Sequence, residues 1–230
     1  MRVALVPARG GSKRIPRKNV RPFRGVPLLR RTLDMLLTAD VVDRVVVSTD
    51  DDEVADVAAA AGAEVPFRRP AELADDHTGT RPVVQHAITE LEREGPPLGP
   101  VCLVYPAAVF VQPHDLRTAL DRLTSSGADF VFSATTYGAP VQRALRLRPD
   151  GSVEMLHPEH AGTRSQDLDE AVHDAGQFYW GRRDAWLQDG SVLRAHSLAH
   201  VLPRWRVQDI DTPEDWHRAE LLHRVLDELG

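Results

Sequence analysis

Of 28 lysines and arginines in this chain of 230 residues, only two are lysines. Both stand in one loop, Ala8-Arg9-Gly10-Gly11-Ser12-Lys13-Arg14-Ile15-Pro16-Arg17-Lys18-Asn19. Lysine carries a compact charge on a flexible stem and reaches single phosphate oxygens, where arginine presents a wide planar fork. An apolar run, Val3-Ala4-Leu5-Val6, precedes the loop and reads as a buried strand. A strand, then Gly-Gly-Ser, then lysines is the chemistry of a polyphosphate cradle. The plainer alternative is a solvated basic loop. Residues 1 to 31 hold ten Arg or Lys and no Asp or Glu, within a chain of net charge −6. That balance draws a multiply negative small ligand to the segment and gives no global argument for nucleic acid.

A second cluster is acidic. In Gln208-Asp209-Ile210-Asp211-Thr212-Pro213, alternation on a strand would put Asp209 and Asp211 on one face and Ile210 behind them. Two carboxylates on one face repel unless a cation lies between them. Mg²⁺ is usually held in this way, by one or two carboxylates and the substrate's phosphates. Alternatively, Asp211 or Thr212 simply caps the helix that Pro213 opens. Ser48-Thr49-Asp50-Asp51 ends another apolar run. There Asp51 and Asp52 suit a helix N-terminus, and Asp50 could point into a site at the strand end. Arg68 to Thr80 reads as a loop and a helix cap. Thr163-Arg164-Ser165-Gln166-Asp167, followed by His173-Asp174-Ala175-Gly176-Gln177-Phe178-Tyr179-Trp180, is a polar loop and an aromatic strand. Its Arg, Gln and Asp residues could equally hold a sugar acid, the guanidinium forking onto the carboxylate. Cys102 lies in an apolar run and reads as an inert core residue. The ten histidines show no metal-ligand spacing.

Short apolar runs alternate with helical patterns and so supply the elements that must carry these residues. Strands are expected at Val3–Ala8, Val45–Val47, Glu64–Phe67, Val101–Tyr105, Phe130–Ala134 and Val201–Ile210. Helices are expected at Pro27–Ala39, Asp51–Ala61, Pro82–Glu94, Pro113–Ser125 and Pro213–Glu228. Alternating strands and helices with wholly apolar strands predict an α/β fold, with a mostly parallel sheet covered by helices on both faces. Ligands then bind at the carboxyl ends of the strands. Residues 1–230 read as a single domain. The rhythm breaks at 137–175, where Pro149-Asp150-Gly151 signals a hairpin. This stretch is expected to be a small β-rich insertion acting as a lid or a dimer contact. No apolar run is long enough to span a membrane, so a soluble cytoplasmic protein is expected.

The loop is neither a Walker A motif nor a dinucleotide fingerprint, since the required glycine spacing is missing. The string Pro-Ala-Arg-Gly-Gly-Ser-Lys-Arg-Ile-Pro-Arg-Lys-Asn instead resembles the N-terminal signature of the CMP-sugar synthetases, cytidylyltransferases that activate sialic acids and related keto-acid sugars. The spelling around Arg164 to Trp180, with Val207-Gln208-Asp209-Ile210-Asp211, most resembles the pseudaminic acid branch. The resemblance implies a Rossmann-like fold of the nucleotide-diphospho-sugar transferase type and a homodimer. The implied reaction transfers CMP from CTP to the anomeric hydroxyl of a nine-carbon α-keto acid sugar, with Mg²⁺, releasing pyrophosphate. It assigns the nucleotide to Ala8, Arg9, Gly10, Gly11, Ser12, Lys13, Lys18, Asn19, Asp50, Arg69, Thr78, Thr80 and Tyr105. Catalysis falls to Arg9, Lys18 and Asp211, and the metal to Asp209 and Asp211. The sugar falls to Phe110, Arg164, Gln166, Asp174 and Gln177. Ala107 and Val109 depart from the family's usual hydroxyl and proline, which leaves backbone contacts and the rings of Tyr105 and Phe110 to act there. The same reaction on N-acetylneuraminic or legionaminic acid, or a non-catalytic nucleotide-binding module, are the alternatives.

Overall fold

The computed structural model describes residues 1–75, 78–93 and 95–229. The chain opens with β1 (Val3–Pro7), then a long loop, a short hairpin of β2 (Pro22–Phe23) and β3 (Val26–Pro27), α1 (Leu28–Thr38), β4 (Arg44–Ser48) and α2 (Asp52–Ala61). Asp51 caps α2 by accepting a 3.0 Å bond from the Val54 N–H, and Gly62 ends it in the left-handed region at φ 92°. Next come α3 (Thr80–Glu92), β5 (Val101–Val104), α4 (Pro113–Ser125) and β6 (Phe130–Thr136). Glu94, the expected end of α3, lies outside the described residues. The chain continues through β7 (Leu145–Leu147), β8 (Val153–Met155), β9 (Val172–Gly181), α5 (Arg183–Leu187), β10 (Ser197–Val201) and α6 (Pro213–Leu229).

Six strands form one sheet in the order β10-β6-β9-β5-β1-β4. All run parallel except β9, which pairs antiparallel with both β5 and β6. The carboxyl ends of β1, β4 and β5 therefore share one edge, and the reversed β9 brings its early residues to that same edge. Alternation along β1 explains the covering on both faces. Ala4 and Val6 pack with Leu29, Leu33, Val47 and Trp180 on one side. Val3 and Leu5 pack with Val84, Ile88, Phe130 and Trp186 on the other. A third cluster joins Ile15, Phe23, Leu28, Phe110, Ile210, Trp216 and Ala219. It pins the loop after β1 to α6 and to the segment before α6. Each fully buried Ile of this kind contributes about 1.5–3 kcal/mol.

Two expected strands are absent. Glu64–Phe67 makes one isolated bridge, Val46 to Glu64, with another just past it from Thr49 to Arg68, because Pro66 has no N–H to continue a ladder. Val201–Ile210 is likewise no strand. β10 ends at Val201, Pro203 opens a single turn of 3₁₀ helix over Arg204–Arg206, and residues 207–211 run without a ladder partner. Between β6 and β9, residues 137–171 carry the β7–β8 hairpin, with Gly151 at φ 83° in its turn. Residues 172–175, placed in the insertion by sequence, belong to β9, and Thr135 pairs with His173. Among the described residues no helix is long and apolar enough to cross a membrane.

Candidate active site

The basic loop is tied down at many points. Ala8 donates a 3.0 Å bond to the Ser48 carbonyl, which carries β1 one residue further. Gly10 donates to Asp50 at 3.1 Å, and a Cβ at Gly10 would collide with the Asp51 carboxylate. Asp50 thus positions the loop instead of projecting freely. Arg17 adopts φ 57°, a conformation that costs about 1–3 kcal/mol for a residue with a side chain. It forks onto Asp51 at 2.6 and 3.1 Å and also reaches Glu53. Asn19 donates to the Arg9 carbonyl at 2.9 Å, while Arg9 donates to the Asp75 carbonyl at 2.7 Å.

The acidic segment comes to meet this loop. Lys18 donates to the Ile210 carbonyl at 2.7 Å and lies 3.5 Å from Asp211 Oδ1. Arg14 pairs with Asp211 Oδ2 at 2.8 Å. Burial alternates without a strand to impose it: Ile210 is wholly buried, and Asp209 and Asp211 on either side of it are more accessible. Anchors on either side keep this register. Upstream, Arg206 forks onto the buried Asp115 at 2.6 and 3.0 Å. Downstream, Thr212 and Asp215 exchange hydrogen bonds across the start of α6. Thr212 therefore caps α6, and Asp211 is left for the cleft. Partial burial, followed by the nearby Asp211, raises the Asp209 carboxyl above its ordinary range, and Lys18 opposes the rise.

Three adjoining hollows open along the carboxyl edge of the sheet. The largest, about 420 Å³, is lined by Arg9, Ser12, Lys13, Arg14, Lys18, Asn19, Tyr105 and Asp211. A second, about 220 Å³, shares Arg9 and Tyr105 and adds Arg69, Thr78 and Thr80. Burial pushes the Arg69 guanidinium down to about 10, with Asp50 opposing and Arg9 adding to the shift; it stays charged at neutral pH. Thr80 and Tyr105 share a 2.9 Å hydroxyl bond. The third hollow, about 330 Å³, shares Lys18, Tyr105 and Asp211 and adds Gln177, Tyr179, Gln208 and Asp209. Asp174 sits beside it and accepts the Tyr179 hydroxyl at 2.7 and 2.8 Å. Burial, then Asp174, raises the Tyr179 phenol far above its usual range. The buried Oε1 of Gln177 has no hydrogen-bond partner.

Most residues singled out by sequence meet here; Phe110, Arg164 and Gln166 do not. Phe110 is buried with Ile15, Trp216 and Ile210, because the turn after β5 faces it inward. Arg164 lies exposed on a 3₁₀ turn and pairs with Asp167 at 2.7 Å. Gln166 lines a separate hollow between residues 136–142 and 165–171. Gly11 is an exposed loop residue with open space around it. Sequence reasoning missed Arg14, Gln208 and Tyr179. Tyr179 was within reach, since it shares a strand face with Gln177 two positions before it.

Among the described residues no three His, Cys, Asp or Glu side chains cluster as a closed metal site. Two carboxylates beside a cationic cleft are a donor set of another kind. It suits a hard cation that keeps waters and completes its shell from substrate phosphates.

A cytidylyltransferase sequence profile matches residues 3–190. The chain belongs to the cytidylyltransferase family. Within that family, it is 40% identical over 223 residues to a pseudaminic acid cytidylyltransferase of Campylobacter jejuni, covering 97% of this chain and 96% of the relative. It is 36% identical to a CMP-N,N'-diacetyllegionaminic acid synthase of Legionella pneumophila, covering 96% and 95%. In fold, the cytidylyltransferase chain superposes on a CMP:2-keto-3-deoxy-manno-octonic acid synthetase solved with CTP. The TM-score is 0.70 at 16% identity, over 97% of this chain and 98% of the other. A 4-diphosphocytidyl-2C-methyl-D-erythritol synthase shares the fold at TM-score 0.64 and 15% identity.

Proposed function

We propose that this cytidylyltransferase joins CMP from CTP to the anomeric hydroxyl of a nine-carbon α-keto acid sugar of the pseudaminic acid type, releasing pyrophosphate. One observation carries the reading: Lys18 and Asp211, 193 positions apart, meet where the central and third hollows join. Cytosine occupies the hollow of Arg69, Thr78 and Thr80, and the triphosphate the central one. Arg9 and Lys18 neutralise the phosphates. Lys13 and the N–H groups of the glycine turn hold the departing pyrophosphate. The sugar acid fills the third hollow, where Gln177, Gln208 and Asp174 with Tyr179 offer polar contacts. Positioning and charge neutralisation supply most of the acceleration in such transfers. Asp209 and Asp211 would hold Mg²⁺, which supplies positive charge to the reacting phosphates.

The hairpin segment completes the reading. Leu145, Leu147 and Val153 on β7 and β8 are exposed, and Arg164 and Gln166 line none of the three cleft hollows. A homodimer formed through residues 137–171 covers this apolar face and places those two side chains at the partner's sugar site. Dependence on CTP fits the cytoplasm.

The test is pyrophosphate release with CTP and Mg²⁺ and, in turn, pseudaminic, N-acetylneuraminic and legionaminic acids. Pseudaminic acid is expected to be turned over fastest. Preference for another acid would move the substrate assignment, and release with none would leave a nucleotide-binding module. Light scattering is expected to give a dimer; a fully active monomer would refute the shared site.

A further inference from the structure

Both oxygens of Asp211 face protein cations. Oδ2 lies 2.8 Å from Arg14, and Oδ1 lies 3.5 Å from Lys18. The two cations are held differently. Lys18 is mostly buried and also fixed on the Ile210 carbonyl. The Arg14 side chain is 67% exposed. Its backbone is anchored next door, because Ile15 is buried in the third core cluster and Pro16 restricts Ile15. The Arg14 guanidinium is therefore a mobile head on a fixed pivot. It lines the central hollow with Arg9, Lys13 and Lys18, where a triphosphate would offer it a stronger partner than one carboxylate.

We propose that Arg14 is an exchangeable counter-cation: it holds Asp211 in the nucleotide-free enzyme and passes to the triphosphate when a divalent cation takes that carboxylate. The inference rests on the CTP-dependent reading above. Without metal, Asp211 is paired with both Arg14 and Lys18, whereas Asp209 has no ion pair among the described residues and its charge is opposed by burial and by Asp211. A metal arriving alone must displace Arg14. A metal arriving with CTP meets an arginine that has already acquired phosphate oxygens. Binding of metal and nucleotide is thereby coupled, and the free enzyme discriminates against the bare ion.

This makes two effects of opposite sign, which loss of a purely structural contact would not produce. An exposed ion pair is worth about 0.2–1 kcal/mol, so Arg14→Ala is expected to bind Mn²⁺ alone about 1.4- to 5-fold more tightly. The same variant is expected to bind CTP about ten-fold more weakly, the loss of one charge-assisted bond. Arg14→Lys, which keeps the charge, should stay near wild type for Mn²⁺. The experiment titrates Mn²⁺ by electron paramagnetic resonance, and CTP by calorimetry, into the full-length wild type and both variants. Unchanged or weaker Mn²⁺ binding by Arg14→Ala, unchanged CTP binding, or no Mn²⁺ binding by any form would each overturn the proposal. Neither titration contains a sugar acid. Pyrophosphate release by the wild type with the panel of acids, run in parallel, tests the reaction itself, so the two failures are distinguishable.

Discussion

Two irregular stretches, the basic loop of residues 8–21 and the hairpin segment of residues 137–171, each carry four arginines and are held in opposite ways. The loop's bonds reach far along the chain: Gly10 to Asp50, Arg17 to Asp51, Arg9 to Asp75 and Lys18 to Ile210. The segment's bonds stay mostly within it: Arg148 to Glu154, Arg164 to Asp167 and Arg143 to the Thr163 carbonyl. The loop buries Ile15 in a core, while the hairpin leaves Leu147 73% exposed. A preorganised cationic site needs its charges fixed before substrate arrives. On the proposed reading, the uncovered apolar residues of the hairpin are where a second copy docks.

The largest loss should follow from removing what holds the cleft from behind. In Arg206→Met, the buried Asp115 loses its arginine fork and keeps only His114, His200 and the Gln112 N–H, and stability should fall by about 3–5 kcal/mol in urea unfolding. Burial alone would raise Asp115, but bonds from His200 and Arg206 hold it well below the carboxylate range. A depressed folded-state value stabilises above the unfolded value and is lost as pH falls through it. The wild type should therefore lose stability in acid more steeply than Arg206→Met. Next in size, Lys18→Ala should lower kcat about 10²- to 10³-fold with an unchanged circular dichroism spectrum. Normal turnover would end its assigned role.

On the segment's side the expected effects are smaller and of another kind. Leu147→Asp should weaken the proposed dimer by about ten- to a hundred-fold, the worth of one buried leucine, as read by concentration-dependent light scattering. It should raise KM for the sugar acid and leave KM for CTP alone. Smallest is Asp209→Asn, which sharpens the idea of a site preorganised at the expense of stability. A carboxyl raised in the folded state stabilises below its unfolded value and loses that contribution as pH rises. At pH 7 without metal the amide should therefore raise Tm, by about 2 °C, while lowering activity. The gain should vanish below about pH 4, where both forms are neutral.

Local signals carried much of this. Apolar runs and capping residues marked most strands and helices, because burial and end-capping act within a few residues. The Gly-Gly-Ser-Lys loop and the Asp209/Asp211 pair were visible as composition and spacing. Alternation of Asp209, Ile210 and Asp211 was expected from a strand and arises otherwise, from a buried Ile210 between two anchors. The Arg206–Asp115 pair spans 91 positions, and no periodicity joins residues so distant. Phe110 was misplaced because an aromatic after a strand end looks the same in sequence whether it faces the cleft or the core. Arg164 and Gln166 were grouped with the sugar site by chemistry alone, and the path of the chain between β6 and β9 carries them away from it.

The claim at the centre is that the basic loop and the distal acids act on one bound nucleotide. The most direct test is a double-mutant cycle on turnover with Lys18→Ala, Asp211→Asn and the pair together. Groups that act as a unit are strongly non-additive, so the double variant should be scarcely slower than the worse single one. Effects that simply multiply would mean that Lys18 and Asp211 serve separate events, contradicting the account.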